Sequence, residues 1–86
     1  NHTVMELYTH DRPGLLSAVA QVFLAYQIQV INAKMVTLGD QVEDVFFITN
    51  IEYNSLSEAE QQNLYESLKD KLVMQAESVV STSVAF

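Results

Sequence analysis

An α+β fold with the element order β-α-β-β-α-β is predicted by three features of this 86-residue chain. Apolar residues alternate with a period of two in four stretches and recur at helical spacing in two others. The one Pro stands beside one of the two Gly, where the first strand-like stretch gives way to a helical one. A Gly39-Asp40 pair separates two consecutive β-rich runs and reads as a two-residue hairpin.

The first strand spans about 3–9, with Met5 and Leu7 on one face and Val4, Glu6 and Tyr8 on the other. His10, Asp11, Arg12, Pro13 and Gly14 form a turn, and Pro13 suits the first helical position because no N–H partner is needed there. A helix over about 13–26 follows from the spacing of Leu15, Val19, Val22, Phe23 and Tyr26. The second strand, about 28–38, sets Ile31, Ala33 and Met35 on one face and Asn32, Lys34 and Val36 on the other. The third, about 42–51, contains Val45-Phe46-Phe47-Ile48, apolar on both faces as a central strand requires. Ser57-Glu58-Ala59-Glu60 has capping-box spacing and opens a helix over about 57–73, with Leu64, Leu68 and Leu72 at steps of four. Val80, Thr82, Val84 and Phe86 alternate through a last strand over 78–86. Right-handed crossovers turn this order into a four-stranded antiparallel sheet with both helices on one face, the ferredoxin-like plan.

Composition narrows the function. Residues 1–86 are long enough for one domain with a thin core, so a partner subunit or neighbouring domain is expected. The absence of Cys excludes disulfides, thiolate nucleophiles and thiolate zinc sites. A net charge of −7 argues against nucleic acid, which needs a basic face. No apolar run reaches about 18 residues, so no membrane span is expected. No signal peptide is visible, which points to the cytoplasm. Opening on Asn1, the chain is expected to be a fragment or a processed product.

Enzyme chemistry finds little support. Two distant glycines cannot form a phosphate-cradling loop. His10-Asp11 matches the dipeptide of metal phosphohydrolases, but the further His and Asp that such a metal needs are missing. A turn His beside a helix-capping Asp is the simpler account. Arg12 and Asn32 resemble the acylphosphatase arrangement, without its glycine-rich loop. Phe46 and Phe47 are adjacent and point to opposite faces, so they cannot form one base-stacking platform.

The first turn has binding potential. The N–H groups of Leu15 and Leu16 begin a helix and lack intrahelical acceptors, so they suit a carboxylate. Gly14 admits a ligand to the backbone, and Asp11 can meet an ammonium group. Gln29 and Asn32 carry donors and acceptors for an amide side chain. Together these fit a free amino acid. A Pro-Gly helix start, an Asp cap and two edge-strand amides also stand without any ligand.

Asp11-Arg12-Pro13-Gly14-Leu15-Leu16 resembles the opening motif of ACT domains, small amino-acid-sensing modules with this element order. Asn32-Ala33-Lys34, Thr37-Leu38-Gly39 and Val42-Glu43-Asp44-Val45-Phe46 narrow the likeness. They resemble the C-terminal ACT domain of the bacterial uridylyltransferase/uridylyl-removing enzyme family, over residues 3–73. The resemblance implies a regulatory module with no catalytic residue, metal or cofactor of its own. Its parent enzyme would use UTP and Mg2+ upstream to modify the PII nitrogen-signalling protein. The implied ligand is glutamine, bound between the first turn of one ACT domain and the second strand of another, in cis or in a homodimer. Asp11, Gly14 and Leu15, with Arg12 and Leu16 in the same turn, would hold the head group, and Gln29 and Asn32 would face it. One position departs from the pattern: serine-binding ACT domains carry a His where Thr9 stands here. The competing expectation is an ACT module that pairs without a ligand, through a surface including Val4, Tyr8, Val36 and Val42.

Overall fold

Period-two burial in the first strand organises the molecule: Thr3, Met5, Leu7 and Thr9 point inward and are buried. In the computed structural model, backbone is described for residues 1–10, 13–73 and 78–85, and side chains for 1–10 and 13–72. The elements are β1 (His2–His10), α1 (Leu15–Ala25), β2 (Gln29–Leu38), β3 (Gln41–Thr49), α2 (Glu58–Val73) and β4 (Ser78–Ala85). The strands lie in the order β2-β3-β1-β4 and every neighbouring pair is antiparallel. The α+β class, the two helices and the antiparallel sheet agree with the sequence pattern.

Leu38 pairs with Gln41, so Gly39 and Asp40 form a two-residue loop, with Gly39 at φ 68°. A positive φ costs glycine nothing, which is why the hairpin turns there. Register differs from expectation at one point. Val30 lies opposite Ile48 and Asn32 opposite Phe47, so Ile31 is an extra, bulged residue. Ile31 is consequently exposed and does not share the buried face with Ala33. The β4 register sets Val80, Thr82 and Val84 opposite Leu7, Met5 and Thr3. Phe86, assigned to the last strand by its pattern, lies outside the described residues.

One apolar cluster joins both helices to one face of the sheet. Met5, Leu7, Phe46 and Ile48 supply the sheet side, Val19, Val22 and Phe23 come from α1, and Leu64, Leu68 and Leu72 from α2. The Phe23 and Phe46 rings meet edge to face, 5.4 Å between centroids. Such a pair adds about 0.5–1.5 kcal/mol beyond its buried area. Thr3 ties the loop before α2 to the sheet, its Oγ1 accepting the buried Leu56 N–H at 2.8 Å.

The capping box forms as its spacing implied. Glu60 N–H donates to Ser57 Oγ at 3.1 Å, and Ser57 N–H donates to Glu60 Oε1 at 2.9 Å. That backbone hydrogen bond holds the Glu60 carboxyl below its ordinary pKa. Lowering the folded-state value makes the charged form stabilising above the unfolded pKa, and this is lost as pH falls through the folded one. Ser57→Ala should cost about 0.5–2 kcal/mol in urea unfolding. Glu60→Gln should be less stable than the parent at neutral pH and converge with it in acid. Melting curves from neutral to acid pH check this, and parallel curves would contradict it.

Candidate functional site

At the end of β1 the chain turns into α1 through Gly14, which adopts φ 79° and ψ 2°. This left-handed residue is the N-cap, so α1 starts at Leu15 and not at Pro13 as the sequence suggested. The first intrahelical bond runs from Ala18 N–H to the Gly14 carbonyl, at 3.0 Å. Gly14 has no side chain to cap the helix, and the first turn contains no acidic residue. The N–H groups of Leu15 and Leu16 therefore precede the helical ladder. Space beside Gly14 is open, since an added Cβ would meet no atom within 4 Å.

A cleft of about 440 Å³ lies against this turn. Gly14, Leu15, Leu16 and Ser17 line its helical side. Met35 and Thr37 of β2, with Val42 and Asp44 of β3, line the sheet side. Cross-strand register produces that wall, because Met35 pairs with Asp44 and Thr37 with Val42. Leu15 reaches into the core, whereas Leu16 and Met35 remain 45% and 56% exposed. The lining is chiefly apolar with a few polar atoms, the character of a small-molecule pocket.

Asp44 is the acidic member of this wall and is 3% exposed. Its inward position follows from alternation, since Phe46 and Ile48 on the same strand are buried. A carboxylate withdrawn from water costs several kcal/mol unless other groups compensate it. Asp44 does take part in an interaction inside the fold.

Of the expected site residues, Gly14, Leu15 and Leu16 come together at the cleft. Asp11 and Arg12 lie outside the described residues. Gln29 and Asn32 do not line this cleft. They occupy the opposite part of β2, where Gln29 pairs with Thr49 and Asn32 with Phe47. Asn32 is exposed, and its Oδ1 accepts the neighbouring Ala33 N–H at 2.8 Å. Thr37 and Asp44 were missed by sequence reasoning. Counting back by twos from Phe46 would have placed Asp44 inward, but beside Glu43 it reads as one of two solvated acids.

His10 Nδ1 lies 3.9 Å from Asp40 Oδ2, between two exposed side chains. Among the described residues, no three His, Cys, Asp or Glu converge as a metal would require. On the sheet face away from the helices, the Tyr8 hydroxyl donates to Glu6 Oε2 at 3.0 Å. That bond, with minor help from desolvation and the neighbouring acids, raises the Tyr8 pKa.

No family model matches the chain. Sequence relatives are nonetheless clear. It is 47% identical over 73 residues to the bifunctional uridylyltransferase/uridylyl-removing enzyme of Pseudomonas fluorescens, covering 85% of this chain and 8% of that one. The enzyme of the same description from Pseudomonas savastanoi is 45% identical over the same extent. The chain thus spans less than a tenth of the curated relatives it matches, about 8% of their length. Among solved structures, an ACT domain protein from Streptococcus pneumoniae superposes with a TM-score of 0.72 at 8% identity, covering 95% of this chain and 86% of that one. The regulatory subunit of aspartate kinase from Thermus thermophilus gives 0.67 at 18% identity, covering 94% and 50%. A formyltetrahydrofolate deformylase from Pseudomonas putida gives 0.79 at 4% identity, covering 99% and 29%. At such identities these likenesses establish the fold.

Proposed function

We propose that this chain, which belongs over 85% of its length to the bifunctional uridylyltransferase/uridylyl-removing enzyme family, is a regulatory module of the ACT type that senses a free amino acid, glutamine, and does no catalysis of its own. The observation that carries this reading is the cleft where the open start of α1 faces a wall formed by β2 and β3. A ligand carboxylate would meet the Leu15 and Leu16 N–H groups, which Gly14 leaves accessible. By the sequence resemblance, Asp11 and Arg12 would also hold the head group. Gln29 and Asn32 lie off this cleft in their own chain. In this reading they face the amide of a ligand held by another ACT domain, in cis or in a homodimer.

The same reading places the chemistry elsewhere in a longer protein. Catalytic domains using UTP and Mg2+ would act on the PII protein in the cytoplasm, as part of nitrogen regulation, and this module would control them. Among the described residues no helix is long and apolar enough to cross a membrane. Micromolar to millimolar affinity, about −8 to −4 kcal/mol, suits a metabolite that must leave when its concentration falls. Control requires that glutamine bind one domain arrangement better than another, because equal affinity shifts nothing. Calorimetry on the protein, as a monomer and as a dimer, should show saturable binding of glutamine in at least one form and much weaker binding of alanine. Selective heat is the expected result, and its absence would sink the proposal.

A second reading, pairing without a ligand, is favoured by exposed apolar side chains on the edge strand β2. Val30, Ile31, Val36 and Leu38 are each about half exposed or more. Tyr8 and Val36, both opposite Glu43 in the register, share the sheet face away from the helices. Val42, first grouped with them, packs instead against the core on the helix side. Thermal shift separates the two readings, since a ligand at about a hundred times its dissociation constant adds roughly 2.7 kcal/mol.

A further inference from the structure

The two ends of the sheet differ in what they expose. The cleft lies at the end formed by Gly14, Thr37 and Val42. At the opposite end, Gln29 pairs with Thr49 and Thr3 with Ile48. Six of the eleven large apolar side chains exposed among the described residues are there: Leu24, Tyr26, Val30, Ile31, Ile51 and Tyr53. Single exposed apolar residues are ordinary, but such a grouping marks a contact surface. We infer that this end docks onto the rest of a longer protein, against an apolar surface rimmed by Lys or Arg. Docking here goes beyond amino-acid sensing and is independent of what fills the cleft.

Ile51 and Tyr53 stand on the loop between β3 and α2, 51% and 70% exposed. Asn50 shapes that loop: its Oδ1 accepts the N–H groups of Glu52 and Asn54, at 3.0 and 3.1 Å. Its backbone N–H donates to the Asn54 carbonyl at 2.8 Å, and its carbonyl accepts the Tyr53 N–H at 3.0 Å. Neither Ile51 nor Tyr53 belongs to the core cluster. Tyr53 is left-handed, at φ 62°, a conformation unfavourable for a residue with a Cβ. Gly or Asn would serve a turn there better. Gln27, the other non-glycine residue with a positive φ, follows the C-cap of α1, where left-handed residues are common. Tyr53 ends no helix. A strained aromatic side chain held out in water fits a residue that fills a partner's pocket.

Chain path and charge choose the occupant. The chain spans about 8% of the length of the curated relatives it matches, so in such a protein most of the polypeptide lies outside this domain. His2 pairs with Ala85, so the start of β1 and the end of β4, where a longer polypeptide enters or leaves the domain, are at this same end. A covalently joined neighbour is thereby held beside the apolar patch at high effective concentration. Glu52 and Glu58 are exposed here, whereas Lys34, Lys69 and Lys71 lie farther along β2 and α2. A second copy of this end would set like charges against each other. A surface rimmed by Lys or Arg complements them.

The test uses the full-length protein that carries this domain. Benzoylphenylalanine, an aromatic photo-crosslinker, placed at position 53 should on irradiation form an intrachain cross-link to a peptide outside residues 1–86. The same probe at position 38, also exposed but at the cleft end of the sheet, should not reach that peptide. Tyr53→Gly keeps the loop, because glycine accepts φ 62°, and removes the anchor. Hydrogen exchange over residues 24–31 should then be faster than in the parent, and Leu38→Ser should leave it unchanged. Cross-links confined to residues 1–86 or to a second copy, no cross-link at all, or equal exchange over 24–31 in parent and Tyr53→Gly would each overturn the docking. Calorimetry of Tyr53→Gly with glutamine reads the cleft separately: retained binding beside equal exchange means that docking fails and sensing stands.

Discussion

Gly14→Val is expected to abolish glutamine-dependent stabilisation and to lower the melting temperature of the ligand-free domain. Two separate physical effects lie behind this. Gly14 sits at φ 79°, where a Cβ crowds the backbone, and the left-handed conformation costs a non-glycine residue about 1–2 kcal/mol. For a domain of this size that lowers the melting temperature by about 4–8 °C for each kcal/mol. The second effect concerns access. Open space lies beside Gly14, so the new side chain clashes with no protein atom at its Cβ and fills the route to the Leu15 and Leu16 amides. Gly14→Asn separates the two, because Asn tolerates the left-handed region far better than a β-branched residue. It should retain most of the intrinsic stability and still lose the ligand-induced shift. If Gly14→Val melts lower but keeps the full glutamine shift, the ligand does not approach through this turn.

How far the chain could be read without coordinates depends on the kind of signal. Elements bounded by strong punctuation were legible: Gly39-Asp40 turns the hairpin, and Ser57 with Glu60 starts α2 through reciprocal hydrogen bonds. The start of α1 was legible to within two residues. Pro13 suits a first helical position, and no sequence rule says that the next residue is left-handed. The bulge at Ile31 left no trace because Val30 and Ile31 are both apolar, so either can be assigned inward. That single extra residue sets the faces of Val30 and Gln29, whereas Asn32 keeps the face opposite Ala33 that plain alternation gives it. Asp44 illustrates the converse. Its alternation with Phe46 and Ile48 was present in the chain, but an acid beside another acid invites a solvent-exposed reading.

Leu68→Ala is expected to remove a large share of the folding free energy. Leu68 is 1% exposed and belongs to the cluster that joins α2 to the sheet, so truncation leaves a cavity with little room for collapse. Such substitutions cost about 2–5 kcal/mol, combining lost transfer energy with the cavity term. At roughly 0.05–0.15 kcal/mol per residue, a chain this short holds only about 4–13 kcal/mol in total. Urea unfolding should move the midpoint sharply lower with an unchanged slope. Leu24→Ala, at a position 79% exposed, should change stability by no more than about 0.5 kcal/mol. The thin core also makes pairing consequential. Where two ACT domains associate through β2, the dimer adds stability by mass action, so the Leu68→Ala midpoint should rise with protein concentration. A midpoint independent of concentration over a hundredfold range would show that the isolated domain supplies its own stability, and that pairing contributes nothing to folding.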